Sequence, residues 1–297
     1  MEGKRVHKPC VACGEWPDRP LLHVAKKGLL QVVKCPSCGL VYSDVDLRPD
    51  RVLQDDAPYF PCDVYATEAQ IYREEAQRYL DAVQRFKKTG LLLDIGCGFG
   101  YFLATAREQG WQVKGIDISP VAIREAQRNF GLEDVQAVTV AEADFSPSSF
   151  DVIAIWNCLE HMADPATTLT RVIEWLKPDG LLALEVPDHD GILFSINLAL
   201  HKMTRGRLGI SKQLYGQGEG SHLYIFTAQS LGRMFARWGF QARYLERTNS
   251  PAKTLLSTHS LNKNLLKALG SYTALYLGYG LATLIRRQNR LLMIFSR

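Results

Sequence analysis

From residue 91 onward, short apolar runs alternate with longer stretches of helical periodicity, the pattern of repeated strand-helix units around a parallel sheet. The runs predict strands at 91–95, 112–117, 135–139, 151–156, 181–186, 241–247 and 291–296, with helices between most of them. Ahead of this region, 68–88 reads as an amphipathic helix able to cap a cleft, and 46–70, rich in Asp, Pro and Tyr, as a connector. Short apolar runs also flank a pair of cysteines near the start, in LLQVVKCPSCGLVYSD, and suit the strands of a small ribbon. The expected architecture is α/β: a Rossmann-like, seven-stranded, doubly wound sheet preceded by a small N-terminal zinc ribbon with four cysteine ligands. The divisions are 1–45 for the ribbon, 46–88 for linker and capping helix, and 89–297 for the main domain, with a helical insert at about 252–288.

Composition narrows this little. A chain of 297 residues with 46% hydrophobic and 22% charged residues can bury one ordinary core and a satellite. The net charge of +4 is spread without a Lys/Arg block, so a nucleic-acid partner is not expected. The opening MEGKRVHKPCVACG has no apolar h-region, and the expected location is cytoplasmic.

Cysteine placement carries more. Cys10-Val-Ala-Cys13-Gly and Cys35-Pro-Ser-Cys38-Gly are two CxxCG knuckles whose spacing lets hairpins bring four sulfurs to one tetrahedral ion. Four thiolates leave no position open for water, so the zinc expected there is structural. It would supply the folding energy of a module too small to bury its own core. Cys62, Cys97 and Cys158 are scattered, and no metal is assigned to them.

Leu91-Leu92-Leu93-Asp94-Ile95-Gly96-Cys97-Gly98-Phe99-Gly100 is a buried strand running into a glycine-rich turn and then a helix, the arrangement that lets backbone approach a nucleotide. Asp94 just before the turn would repel a pyrophosphate and suits an ammonium. The next strand ends in Asp117, an acid placed to accept hydrogen bonds from ribose hydroxyls. One strand-helix-strand unit separates the two acids, so both should lie at the carboxyl edge of adjacent strands.

DIGCGFG, GIDIS, FDVIAIWNCLEHMADP and LKPDGLLALEVPD, in that order, resemble the class I S-adenosylmethionine-dependent methyltransferases over residues 89 to about 248. SHLYIFTAQSLGRMFARWGF together with the CxxC pairs is similar to the zinc-carrying branch that includes deoxysugar C-methyltransferases, and to quinone-type O-methyltransferases, which lack the ribbon. The resemblance implies that Gly96, Cys97, Gly98 and Gly100 form the loop under the cofactor and that Asp94 orients its amino-acid end. It also implies that Asp117 holds the ribose and Ile118 packs on the adenine. Glu142 or Asp144 would face the adenine amino group, and Asn157 would border the methionine portion.

Methyl transfer to a hydroxyl or carbon acid calls for alignment and a base. His222, in a segment similar to the EHxxY-like stretch of the sugar branch with its Glu displaced, is the first choice. His161, in Leu-Glu-His-Met as in the quinone-type LEH segment, is the second. His189 is expected to be solvated, and Tyr215 and Tyr224 to be substrate contacts or half-buried walls. The basic run His201 to Arg207 would meet an anionic acceptor or form a solvated loop face. Ala268 to Ile285 carries no charge but is diluted by glycines and followed by a strand. It is expected to pack on the domain or to lie in a membrane interface, with peripheral contact through 268–287.

The reaction implied is His-assisted O- or C-methylation of a small-molecule or sugar- or lipid-linked acceptor, with S-adenosylmethionine and Zn as cofactors. The competing readings are a zinc-ribbon adaptor with a non-catalytic methyltransferase fold and an NAD-dependent Rossmann enzyme.

Overall fold

A computed structural model of the chain describes residues 8–17, 21–24, 30–43, 68–204, 222–251 and 277–297. Most of the connector, Cys62, Arg205 to Arg207, Tyr215, Glu219 to Ser221 and residues 252–276 of the expected insert lie outside the described residues.

The N-terminal strands β1 (Leu22–Val24), β2 (Leu30–Lys34) and β3 (Val41–Ser43) form an antiparallel ribbon. Helix α1 (Ala69–Gln84) follows and buries Ala76, Tyr79, Leu80, Ala82 and Val83 on one face, as its amphipathic pattern predicts. The main domain then alternates strand and helix: β4 (Leu91–Ile95), α2 (Tyr101–Glu108), β5 (Gln112–Asp117), α3 (Pro120–Phe130), β6 (Val135–Ala137), β7 (Phe150–Trp156), α4 (Pro165–Trp175), β8 (Leu176–Pro187) and α5 (Ile192–Met203). The short β9 (Tyr224–Ile225), α6 (Ala228–Ala236), β10 (Gln241–Thr248), a helix over 277–284 (α7) and β11 (Arg290–Ser296) complete it.

The central sheet has the order β10-β11-β8-β7-β4-β5-β6. Its middle strands read as continuous apolar runs because helices cover both faces; Leu92, Leu93, Val152, Ile153, Ala154 and Ile155 are all fully buried. All seven predicted strands are present. The last, β11, runs antiparallel to both β8 and β10, whereas repeated strand-helix units predict a parallel sheet. β10 and β11 pair directly with each other, and adjacent antiparallel strands need no crossover connection.

Helix starts are written locally. Ser119 caps α3 through its hydroxyl to the Ala122 amide, with Pro120 in the first turn, and Asp164 with Pro165 does the same for α4. Thr227 and Ser230 form a reciprocal capping box on α6.

The ribbon does not stand apart. β9 adds to its outer edge, pairing Val41 with Ile225 and Tyr42 with Tyr224, and the Ser43 amide donates to the Leu223 carbonyl (2.9 Å). The Thr227 hydroxyl donates to the Cys38 carbonyl (3.1 Å), and Cys10, Cys35, Cys38 and Leu40 share one hydrophobic core with the sheet.

Candidate active site

The turn between β4 and α2 is tied to β5 by the amides of Gly96 and Cys97, which both donate to the Ile116 carbonyl (2.8 and 3.1 Å). Gly96 has a positive φ of 75°, and a Cβ there would stand 2.6 Å from the Cys158 sulfur, so the turn and the end of β7 close on each other only without a side chain. Gly98, at φ 51°, is the opposite case: a Cβ would meet nothing within 4 Å, and the crest of the turn faces open space. Backbone is therefore exposed to a ligand where the strand order switches, between β4 and β7 on one side and β5 on the other.

Two carboxylates flank that turn. Asp94, paired in register between Gly115 and Ala154, is buried, and its Oδ1 has no hydrogen-bond partner among the described residues. Asp117, at the end of β5, accepts from the Gly98 amide (2.9 Å) and the Ser119 amide (2.8 Å) through different oxygens, each keeping a free lone pair. Burial pushes both carboxyls up, and burial first with the Asp117 charge second holds Asp94 well above the ordinary carboxylate range. A desolvated acid pair with an orphaned oxygen suits a ligand that brings an ammonium and hydroxyl donors. A pyrophosphate would add charge of the wrong sign.

Asn157, at the end of β7, adopts a left-handed φ of 49°. Its amide N–H donates to the Glu185 carbonyl (2.8 Å), and its side-chain nitrogen donates to the Tyr79 hydroxyl (3.2 Å). Tyr79 stacks on Trp156 (4.2 Å, 5°) and donates to Glu185 Oε1 (2.7 Å). Glu185, with no exposed surface, also receives Arg78 and is paired with the buried Arg290, which bonds Glu75 in turn. Burial alone would raise the Glu185 carboxyl; the Arg290 and Arg78 charges outweigh it and leave it below its ordinary value. Sequence reading missed this network because Arg290, Glu185 and helix α1 are far apart in the chain. A charged residue inside each of two apolar strands, Glu185 in LLALEVP and Arg290 opening RLLMIF, was the available signal.

The histidines chosen from sequence meet. The short turn Leu159–His161 follows β7 directly, and the rings of His161 and His222 lie 5.1 Å apart. The Leu223 amide donates to the Glu160 carbonyl (2.9 Å), which holds the two segments together. Glu160, unremarked in the sequence, is buried beside them; its Oε1 is 3.9 Å from His161 Nε2 and its Oε2 has no partner among the described residues. Burial pushes its carboxyl up to about 8, while burial and the neighbouring His161 pull His222 down to about 3. One ligand atom from each of Glu160, His161 and His222 falls within 4.8 Å of the others, close enough to share a proton or a cation.

The remaining residues are scattered around the turn. Ile118 is 51% exposed next to Asp117, and Cys97 is buried behind the glycines. Glu142 and Asp144 are both exposed; the Glu142 carboxylate turns back on the amide and hydroxyl of Thr139, ending β6 two residues before the predicted 139. Tyr224 is a buried wall whose hydroxyl donates to the Ala163 carbonyl (3.1 Å). His189 is not solvated: it is buried at the end of β8 against Phe194, which lowers its pKa to about 4. The carboxyl end of that strand is covered by α5 and β9, which a reading of the PDHD loop alone could not anticipate.

The four knuckle cysteines converge. Cys10 and Cys38 sulfurs are 3.5 Å apart, as are those of Cys13 and Cys35, and all four fall within 4.8 Å. Zn–S bonds of ~2.3 Å in a tetrahedron place sulfurs about 3.8 Å apart, so the set fits such an ion.

Comparison with known proteins agrees with this geometry. The chain is 32% identical over 118 residues to the mitochondrial ubiquinone biosynthesis O-methyltransferase of Schizosaccharomyces pombe, covering 37% of this chain and 43% of that one. It is 26% identical over 180 residues to the Aliivibrio fischeri (strain MJ11) ubiquinone biosynthesis O-methyltransferase, covering 58% and 72%. The match thus spans under half the length of the first of these relatives. Among solved structures it is similar in fold to the Burkholderia thailandensis 1,6-didemethyltoxoflavin-N1-methyltransferase, determined with S-adenosylhomocysteine (TM-score 0.55, 20% identity, 93% of this chain and 98% of that one). A Leishmania major SAM-dependent methyltransferase is also similar (TM-score 0.52, 12% identity, 83% and 82%). A family model described as a methyltransferase domain matches residues 67–245, spanning the glycine turn, both acids and the histidine pair, and the chain belongs to that family.

Proposed function

We propose that the protein transfers the methyl group of S-adenosylmethionine to oxygen or carbon of a small acceptor, and that the acceptor is sugar- or lipid-linked. The carrying observation is the unsatisfied, buried Asp94 beside Asp117 at the glycine turn. When bound, the cofactor supplies an electrophilic methyl on a sulfonium. Asp94 would receive its ammonium, Asp117 the ribose hydroxyls, Ile118 the adenine face, and Asn157, held left-handed by Glu185, would border the methionine chain. Glu142 or Asp144 would meet the adenine amino group.

The proton leaves the acceptor to the histidine pair. His222 and the partly exposed His161 would share that proton and pass it outward, with Glu160 beside the pair. The four knuckle cysteines would hold one structural zinc, closing the ribbon that carries β3 and, through it, β9 near His222.

Calorimetry with S-adenosylhomocysteine and with NAD tests the reading. Binding of the first and not the second is expected; preference for NAD overturns it. With cofactor binding established, His161→Asn and His222→Asn should each lower kcat by roughly 10²–10⁴ while leaving S-adenosylhomocysteine affinity within about threefold.

A further inference from the structure

We infer that the face formed by α5 and α7 docks on an anionic lipid bilayer. The two helices meet at the first turn of α5. The position of a Cβ on Gly278 lies 3.8 Å from Leu193, the Ile192 amide donates to the Arg287 carbonyl (2.9 Å), and Arg287 reaches the Ser195 hydroxyl (2.8 Å). Each buries one side, with Phe194 and Asn197 inward on α5 and Tyr279 and Ala282 inward on α7.

Each also turns an i, i+4, i+7 stripe outward: Ile196, Leu200 and Met203 on the first, Leu277, Leu281 and Leu284 on the second. Met203 and Leu284 are each 81% exposed, and these six are the majority of the eleven large hydrophobic residues found exposed among the described residues. Soluble surfaces scatter such residues singly; a paired stripe marks a contact face.

Charge identifies the occupant. Neither helix contains an acidic residue. Lys202 stands at the end of α5, and exposed Arg286 and Arg287 follow α7, at the other end of the patch. Asp190 precedes α5, and Arg287 donates to its carbonyl (2.7 Å). A second copy packed through the same face would bring these cations no counter-charge, whereas anionic headgroups supply it at both ends. No helix among the described residues is long and apolar enough to cross a membrane, which suits a face that lies in the interface. The face adjoins the acceptor side of the site, since α5 leaves β8 through Asp188 and His189, and the His189 ring lies against Phe194. An acceptor with an apolar tail would then be taken from the bilayer surface; that consequence rests on the methyl-transfer reading, but the docking itself does not.

Vesicle co-sedimentation of the full chain tests it, with phosphatidylcholine alone and with added phosphatidylglycerol, beside Met203→Glu/Leu284→Glu. Wild type should bind the anionic vesicles several-fold better than neutral ones and lose binding in high salt. The double variant, both of whose sites are on the surface, should bind at least about tenfold more weakly while keeping its melting temperature. Absence of wild-type binding to anionic vesicles overturns the inference, as does equal binding by the variant. So does a wild-type dimer that the variant dissolves. Vesicle binding without any affinity for S-adenosylhomocysteine would leave the docking face standing and remove the methyl-transfer reading alone.

Discussion

Asp94→Asn removes a formal charge and almost no volume from a side chain that is 2% exposed and has an unpartnered oxygen. Burial first, and the Asp117 charge second, hold this carboxyl well above its ordinary range. In the ligand-free protein its folded pKa therefore lies above its unfolded one. Its contribution to stability is greatest below the unfolded value and is lost as pH rises through the folded value, so at neutral pH ionising it works against the fold. Asn carries no such cost. The ligand-free variant should melt no lower than wild type at neutral pH. Binding should move the other way: a charge-assisted hydrogen bond to an ammonium is worth about 1.5–3 kcal/mol. At ~1.4 kcal/mol per decade its loss weakens S-adenosylhomocysteine binding about 10- to 150-fold. Calorimetry measures the affinity, and thermal scans with and without ligand measure the stability. An affinity within about threefold of wild type refutes the role given to Asp94, and a melting temperature that falls together with affinity refutes the claim that the unpaired acid is a burden on the empty site.

Glu185→Gln removes the fully buried carboxylate that Arg78 and Arg290 share and leaves them only the partly exposed Glu75 and Glu246, so it should destabilise in urea titration by up to about 3 kcal/mol. Because the folded pKa of Glu185 is depressed, its stabilisation is present above the unfolded carboxylate value and lost as pH falls through the folded one, so the variant should show a flatter acid limb than wild type. His222 is held down to about 3, so its neutral form is built into the fold; stability tied to it is full above ~6.5 and shrinks as pH falls toward 3. Urea midpoints of His222→Asn should accordingly gain on wild type as pH is lowered across that range, and a constant difference would refute the assignment. Cys38→Ser should lower the zinc content below one per chain by elemental analysis and lower the melting temperature, with S-adenosylhomocysteine affinity kept within about threefold.

Much of the frame was legible because it is written locally. Apolar runs located all seven strands, and the CxxCG spacing located four sulfurs that do come together. What was not legible depends on contacts between distant segments. The direction of β11 is fixed by its pairing between β8 and β10, and no periodicity records that. Glu160 carries no signal of its own in the sequence; its place in the site depends on His222, much later in the chain, lying against its neighbour His161. His189 looked solvated in an Asp-rich loop, but α5 and β9 close over it.

The pairing of β3 with β9 also changes what the ribbon is for. A cysteine module tethered by a flexible connector would affect catalysis only by recruiting a partner. Here Thr227 bonds the Cys38 carbonyl, Tyr42 faces Tyr224, and the Ser43 amide holds the Leu223 carbonyl one residue from His222. The cofactor turn, by contrast, is fastened to β5 and to the end of β7 and makes none of these contacts. Loosening the knuckles should therefore be felt at the histidine pair before it is felt at Asp94 and Asp117. The shared edge strand is the physical reason, because β9 has only two residues and cannot hold its register without the ribbon beside it.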